Sequence, residues 1–135
     1  MEFVSVRTAA IVALALMGAV VLFHLLVIAG VIPKTIVWGG RITDPQEVVR
    51  MEVVSILIVL VAAAVFAFRW RSVATGAPSL LWAIATWALV GLFAINTVAN
   101  LFAKTPFERF AMTPLTLLLA LLALRLALER GAANG

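Results

Sequence analysis

The sequence predicts an all-α integral membrane protein, a four-helix up-down bundle with a short ordered loop between its first two helices. Three observations carry that prediction. Four long apolar runs fill most of the chain, 65% of its residues are hydrophobic and only 12% charged with mean hydropathy +1.21, and the polar residues inside the runs gather toward one end. Charged residues make up about 25% of soluble globular domains, so water is not the expected solvent. The runs are Ala9 to Ile32, Val53 to Phe68, Leu80 to Phe102 and Met112 to Leu128. Each reaches, alone or with its flanking turn, the roughly 20 helical residues that a hydrocarbon layer requires. Spans are therefore expected at 8–32, 45–69, 79–102 and 106–129, in a single domain of residues 1–130, with 131–135 a disordered tail.

Arg7 ahead of an apolar stretch also suits a signal peptide. Signal h-regions cover about 7 to 15 residues, whereas this run stays apolar to Ile32, so it reads as a span. The first helix is expected to end at Ile32-Pro33, because proline disfavours helix in the residue before it. In the segment that follows, Thr35-Ile36-Val37-Trp38 and Arg41-Ile42-Thr43 flank Gly39-Gly40, the pattern of a two-residue hairpin turn. A β-hairpin or ordered lid is expected there, lying against the bundle mouth with Trp38 at headgroup level.

Thr43-Asp44-Pro45-Gln46-Glu47 reads as a helix start, with Asp44 as N-cap, Pro45 at the first helical position and Glu47 near the free amides. Helix two thus begins before its apolar run, and Glu47 and Arg50 can pair on its wet face. Gly76-Ala77-Pro78-Ser79 separates spans two and three, with Ser79 an expected cap. Thr105-Pro106-Phe107-Glu108 repeats the start logic as a capping box, so helices three and four form a tight hairpin. Thr113-Pro114 interrupts helix four, because proline has no amide donor for the Phe110 carbonyl and its ring crowds that group; a kink, or an interfacial turn followed by a fresh start, is expected.

The composition excludes several classes. With no cysteine and one histidine, thiolate chemistry and a protein-only zinc site drop out, and no cofactor or metal is expected. The net charge is +4, yet the ten Lys and Arg are scattered around span ends as juxtamembrane anchors are, so the expected partner is the lipid bilayer and not nucleic acid. Placed by side, Arg7, Arg69, Arg71, Arg125 and Arg130 oppose Lys34, Arg41, Arg50, Lys104 and Arg109, a tie. The compact Arg69-Trp70-Arg71 stop favours cytoplasmic termini; the tie also admits insertion in both orientations.

Helical rise of about 1.5 Å per residue puts His24, Glu52 and Asn96 roughly 9 to 12 Å from the same bundle end. Glu52 and Ser55 share one face of helix two, and Asn96 and Asn100 one face of helix three. Ionisable groups facing lipid are disfavoured by about 2.5 to 3.5 kcal/mol on insertion scales, so they turn inward. The expectation is a polar pocket of His24, Glu52, Ser55, Asn96 and Asn100, roofed by Trp38 and Arg41, with Lys104 above it. Each residue also has a plainer reading: His24 as a structural hydrogen bonder, the asparagines as interhelical ties, Glu52 as an interfacial carboxylate, Gly39-Gly40 as turn geometry and Lys104 as a span flank.

Read together, Ile32-Pro33, Ile36-Val37-Trp38-Gly39-Gly40-Arg41, Met51-Glu52 and the Asn96 to Thr105 segment resemble a group of small bacterial four-span proteins of unassigned function with a Trp-Gly-Gly-Arg outer loop. The resemblance covers almost the full length and implies a bacterial inner membrane location, but no reaction or ligand. Three functions are in view. The first is a binding or transport protein for a small amphiphilic or lipid-like ligand, the second a structural or accessory subunit, and the third a lipid-modifying enzyme with His24 and Glu52 as an acid/base pair. Four thin helices enclose little volume, which makes a homodimer reasonable.

Overall fold

The computed structural model describes residues 3–130, which form four long helices joined by short connections. These are α1 (Val6–Ile28), α2 (Pro45–Ala74), α3 (Leu80–Leu101) and α4 (Thr113–Leu128), the last continuing from a π-helical turn at Glu108–Met112. All four, α4 taken with its π turn, are long and apolar enough to cross a membrane, the make-up of a multi-pass membrane protein. The tail expected at 131–135 lies outside the described residues.

Local sequence explains where the helices start and stop. Ser5 caps α1 by accepting from the Thr8 amide at 3.0 Å, a start the apolar pattern alone did not reveal. Gly30, at φ +80°, stops α1 at Ile28, short of Ile32; Gly30 donates to Val27 and Val31 to Leu26, so the last carbonyls are satisfied before Pro33 is reached. Asp44 caps α2 through the Gln46 amide at 3.0 Å, with Pro45 in the first turn. The same glycine device at Gly76, φ +69°, ends α2 only after Ala74, so Arg69, Trp70 and Arg71 lie within the helix. Ser79 holds the N-cap position of α3 with no side-chain cap bond.

Pro114 is accommodated upstream of itself. A π turn widens the ladder over Glu108–Met112, and the Thr113 amide reaches back five residues to the Glu108 carbonyl. At Thr113-Pro114, where the sequence predicts a kink or an interfacial turn, the structure has one wide π turn that leads straight into α4.

One half of the bundle is tightly packed. Ala9, Ala10, Ala13 and Met17 of α1 meet Ala62, Val65 and Phe66 of α2, Leu89 and Phe93 of α3, and Leu119, Ala123 and Leu126 of α4. Lipid tails are as apolar as leucine, so close van der Waals contact, favoured by the buried alanines, holds this core. Phe68 stacks on Trp82 at 4.7 Å and joins the late part of α2 to the early part of α3.

Arg69 is a correction to the expected basic stop. Only 3% exposed, it turns into the bundle, where its Nε donates to the Leu126 carbonyl at 3.1 Å and an Nη donates to the Glu129 carbonyl. Its charge sits at the C-terminal end of α4, where the helix leaves carbonyls without partners. The surface asymmetry on which cytoplasmic termini rested thus loses one of its cations. Beside it, Arg125 donates to the Val4 carbonyl at 2.7 Å and pairs with Glu129 at 2.9 Å, tying α4 to the start of α1.

The connection between α1 and α2 contains no strand; two 3-10 turns, Lys34–Ile36 and Trp38–Gly40, replace the expected β-hairpin. Positive φ occurs at Trp38 (+56°) and Gly39 (+66°) in succession. That folds the chain back on itself without room for paired strands. Val37 is buried against Val27 of α1 and Val48 of α2, with Phe23, Ile32, Ile36, Trp38 and Ile42 around them. The connection therefore has its own small apolar core and lies on the bundle end.

Candidate functional site

Between that connection and the tightly packed half lies a cleft of about 830 Å³, walled by all four helices and roofed by Trp38, Gly39, Arg41 and Ile42. Its floor is apolar, from Met17, Val59, Leu92, Phe93 and Leu119. Lining residues on α1 and α4 are buried or half-buried, whereas Val54 and Ile58 of α2 and Asn96 and Ala99 of α3 are exposed. The open side is therefore between α2 and α3, the pair joined at the other end by Phe68 and Trp82.

Glu52 is the organising residue of the roof. Its side chain is 0% exposed; Oε2 meets His24 Nδ1, and Oε1 accepts the indole N–H of Trp38 at 2.8 Å. The carboxylate thus joins α1, α2 and the connection. His24 packs edge-on to Phe23, which stacks on Phe107 at 5.3 Å and extends the wall to the start of α4. Positive φ at a tryptophan costs of order 1 to 3 kcal/mol, and the bond to Glu52 together with the Val37 cluster holds the residue there.

A second carboxylate fixes the other side of the roof. Both oxygens of Glu108 accept the Gly39 amide, at 2.8 and 3.0 Å, and Thr105 Oγ1 lies 2.7 Å from Glu108 Oε2. Thr105 Oγ1 also lies 3.0 Å from the Ile36 carbonyl, and its single proton serves one acceptor at a time. In the expected capping box the glutamate would reach back to the cap amide. Here Glu108 serves the Gly39 amide of a distant segment instead, while the Glu108 amide still points at Thr105 Oγ1 at 3.4 Å.

Of the residues singled out from sequence, His24, Trp38, Arg41, Glu52, Ser55, Asn96 and Asn100 all line this cleft. Lys104 does not; it is exposed on the α3–α4 connection. Their roles differ. Glu52 has both oxygens occupied by protein donors, and the Asn100 amide donates across to Thr116 at 3.4 Å. Ser55 and Asn96 make no side-chain hydrogen bond within the described residues and face the cleft. His24 and Glu52 are within the reach an acid/base pair needs, and the two carboxylate oxygens are taken up by His24 and Trp38.

Sequence reasoning missed Thr97 and Thr116, and it read Thr105 and Glu108 as a capping box without foreseeing the Glu108 bond to the Gly39 amide. Thr97 and Thr116 hydroxyls lie 3.1 Å apart across α3 and α4, next to the Asn100 contact. The available signal was the i,i+3 spacing of Thr97 and Asn100, which puts them on one face. No family model, no curated protein and no solved structure matches the chain.

Proposed function

We propose that this protein crosses the membrane four times in an up-down order and binds or carries a small amphiphilic, lipid-like molecule in the cleft beneath its α1–α2 connection. The up-down order is supported by the pairing of helix ends: late α1 with early α2 at His24 and Glu52, and late α2 with early α3 at Phe68 and Trp82. The observation that carries the ligand reading is the cleft itself. It has an apolar floor, uncommitted polar groups at Ser55 and Asn96 near its roof, and an opening between two helices that face lipid. Its volume falls in the range of small-molecule sites, about 300 to 1,000 Å³. A tail would lie along Ile58, Leu92, Phe93 and Leu119, and the head would meet Ser55 and Asn96. The resemblance noted above adds a bacterial inner membrane as its setting.

The test is lipid retention. Protein extracted in a mild detergent should carry an amphiphile through purification, seen by native mass spectrometry, and Ser55→Trp, which fills the cleft, should lose it. Equal retention by Ser55→Trp and by Gly18→Trp, on an open face of α1, would contradict the reading. A second reading, a structural subunit whose polar residues only tie helices, draws on the Asn100–Thr116 contact. It predicts that Ser55→Trp changes nothing but stability.

A further inference from the structure

We propose that the molecule held in this cleft has an anionic head, a carboxylate or a phosphate on an apolar tail, with Arg41 as its counter-ion. This deepens the ligand-binding reading above and rests on it.

The inference follows from which charges at the roof are already engaged. Glu52 accepts from His24 and Trp38, and Glu108 accepts the Gly39 amide and meets Thr105, so both carboxylates have protein partners. Arg109, beyond the cleft, donates to the Ala103 carbonyl at 2.9 Å. Arg41 is the one Lys or Arg that lines the cleft, and among the described residues its side chain has neither an ion pair nor a hydrogen bond. It is also placed. A Cβ at Gly39 would lie 3.5 Å from Arg41 Nε, so the arginine side chain folds back across the roof instead of reaching away from it.

An ammonium head at this position would face a like charge and find both carboxylates occupied. A neutral head would offer the guanidinium no counter-charge. An anionic head gives that guanidinium a bidentate acceptor, while Ser55 and Asn96 add neutral donors beneath it. Arg41 is exposed and makes no internal side-chain bond, so its replacement is expected to leave the fold intact.

The experiment uses the full chain in a neutral detergent and probes sharing one tail: oleate, 1-oleoyl lysophosphatidate and 1-oleoylglycerol, with inorganic phosphate as a competitor without a tail. At least one of the two anionic probes should bind roughly tenfold tighter than 1-oleoylglycerol. Arg41→Gln should abolish that preference, and Arg41→Lys, which keeps the charge but not the fork, should keep part of it. The tighter of the two anionic probes separates a carboxylate from a phosphate source. Equal binding of 1-oleoylglycerol by the wild type, or a preference that survives Arg41→Gln, would overturn the anionic head and leave the cleft reading standing. Displacement of the tailed probes by phosphate at matching concentration would overturn the amphiphile in favour of a free anion. Absence of binding by every oleoyl probe would overturn the cleft reading itself.

Discussion

The indole of Trp38 donates to Glu52 at 2.8 Å, fastening the α1–α2 connection to a carboxylate that is wholly buried in α2. Glu52→Ala removes the acceptor from both Trp38 and His24, and leaving such donors without partners costs about 1 to 3 kcal/mol. The variant should lose roughly 2 to 3 kcal/mol of stability and show faster amide exchange across residues 33–43. Trp38→Phe keeps most of the ring packing but leaves a buried carboxylate oxygen without its donor, so its loss should be about 1.5 to 3 kcal/mol. Exchange in that segment unchanged by Glu52→Ala would mean that the Val37 cluster alone holds the roof.

Gly39 sits at φ +66°, where a side chain is strained by about 1 to 2 kcal/mol. The added methyl of Gly39→Ala would meet Arg41 at ordinary contact distance, so the loss should be conformational and of that size. Amide exchange should rise at Gly39 as its bond to Glu108 weakens. A neutral Gly39→Ala would contradict the positive φ.

Arg69 supplies donors to the last carbonyls of α4, at Leu126 and Glu129. Arg69→Ala should destabilise by about 2 to 3 kcal/mol in a detergent unfolding titration, since hydrogen bonds to charged groups contribute about 1.5 to 3 kcal/mol. Arg69→Lys should recover only part, because a single ammonium does not span two carbonyls as a planar fork does. Full recovery by lysine would show that charge alone matters there.

Thr116 meets Thr97 and Asn100 across α3 and α4. Interhelical bonds of this kind average about 0.6 kcal/mol, so Thr116→Val should cost roughly 1 kcal/mol. Combined with Asn100→Ala, the loss should be less than additive, because both substitutions remove one shared contact. Strict additivity would mean that the asparagine and the threonine act independently.

The helices and the polar layer were legible in the sequence for the same reason: a bilayer punishes misplaced polarity, so apolar runs mark spans and the exceptions mark the interior. His24 and Glu52 could be matched by depth because helical rise is uniform. Two things were not legible. Gly39-Gly40 suits a hairpin equally well, and only the burial of Val37 and the Glu108 bond to the Gly39 amide select two 3-10 turns instead. Arg69 reads as a surface anchor beside Trp70 and Arg71, because its partners are backbone carbonyls near the end of α4, which carry no residue-type signal.

Entry of an amphiphile between α2 and α3 into the cleft under the α1–α2 connection can be read out by photo-crosslinking. A fatty acid with a diazirine in its tail, activated on the wild-type protein in lipid and mapped by peptide mass spectrometry, should label Ile58, Leu92, Phe93 and Leu119. Labelling spread evenly over lipid-facing positions such as Ile11 and Leu22 of α1, with none enriched in the cleft, would contradict it.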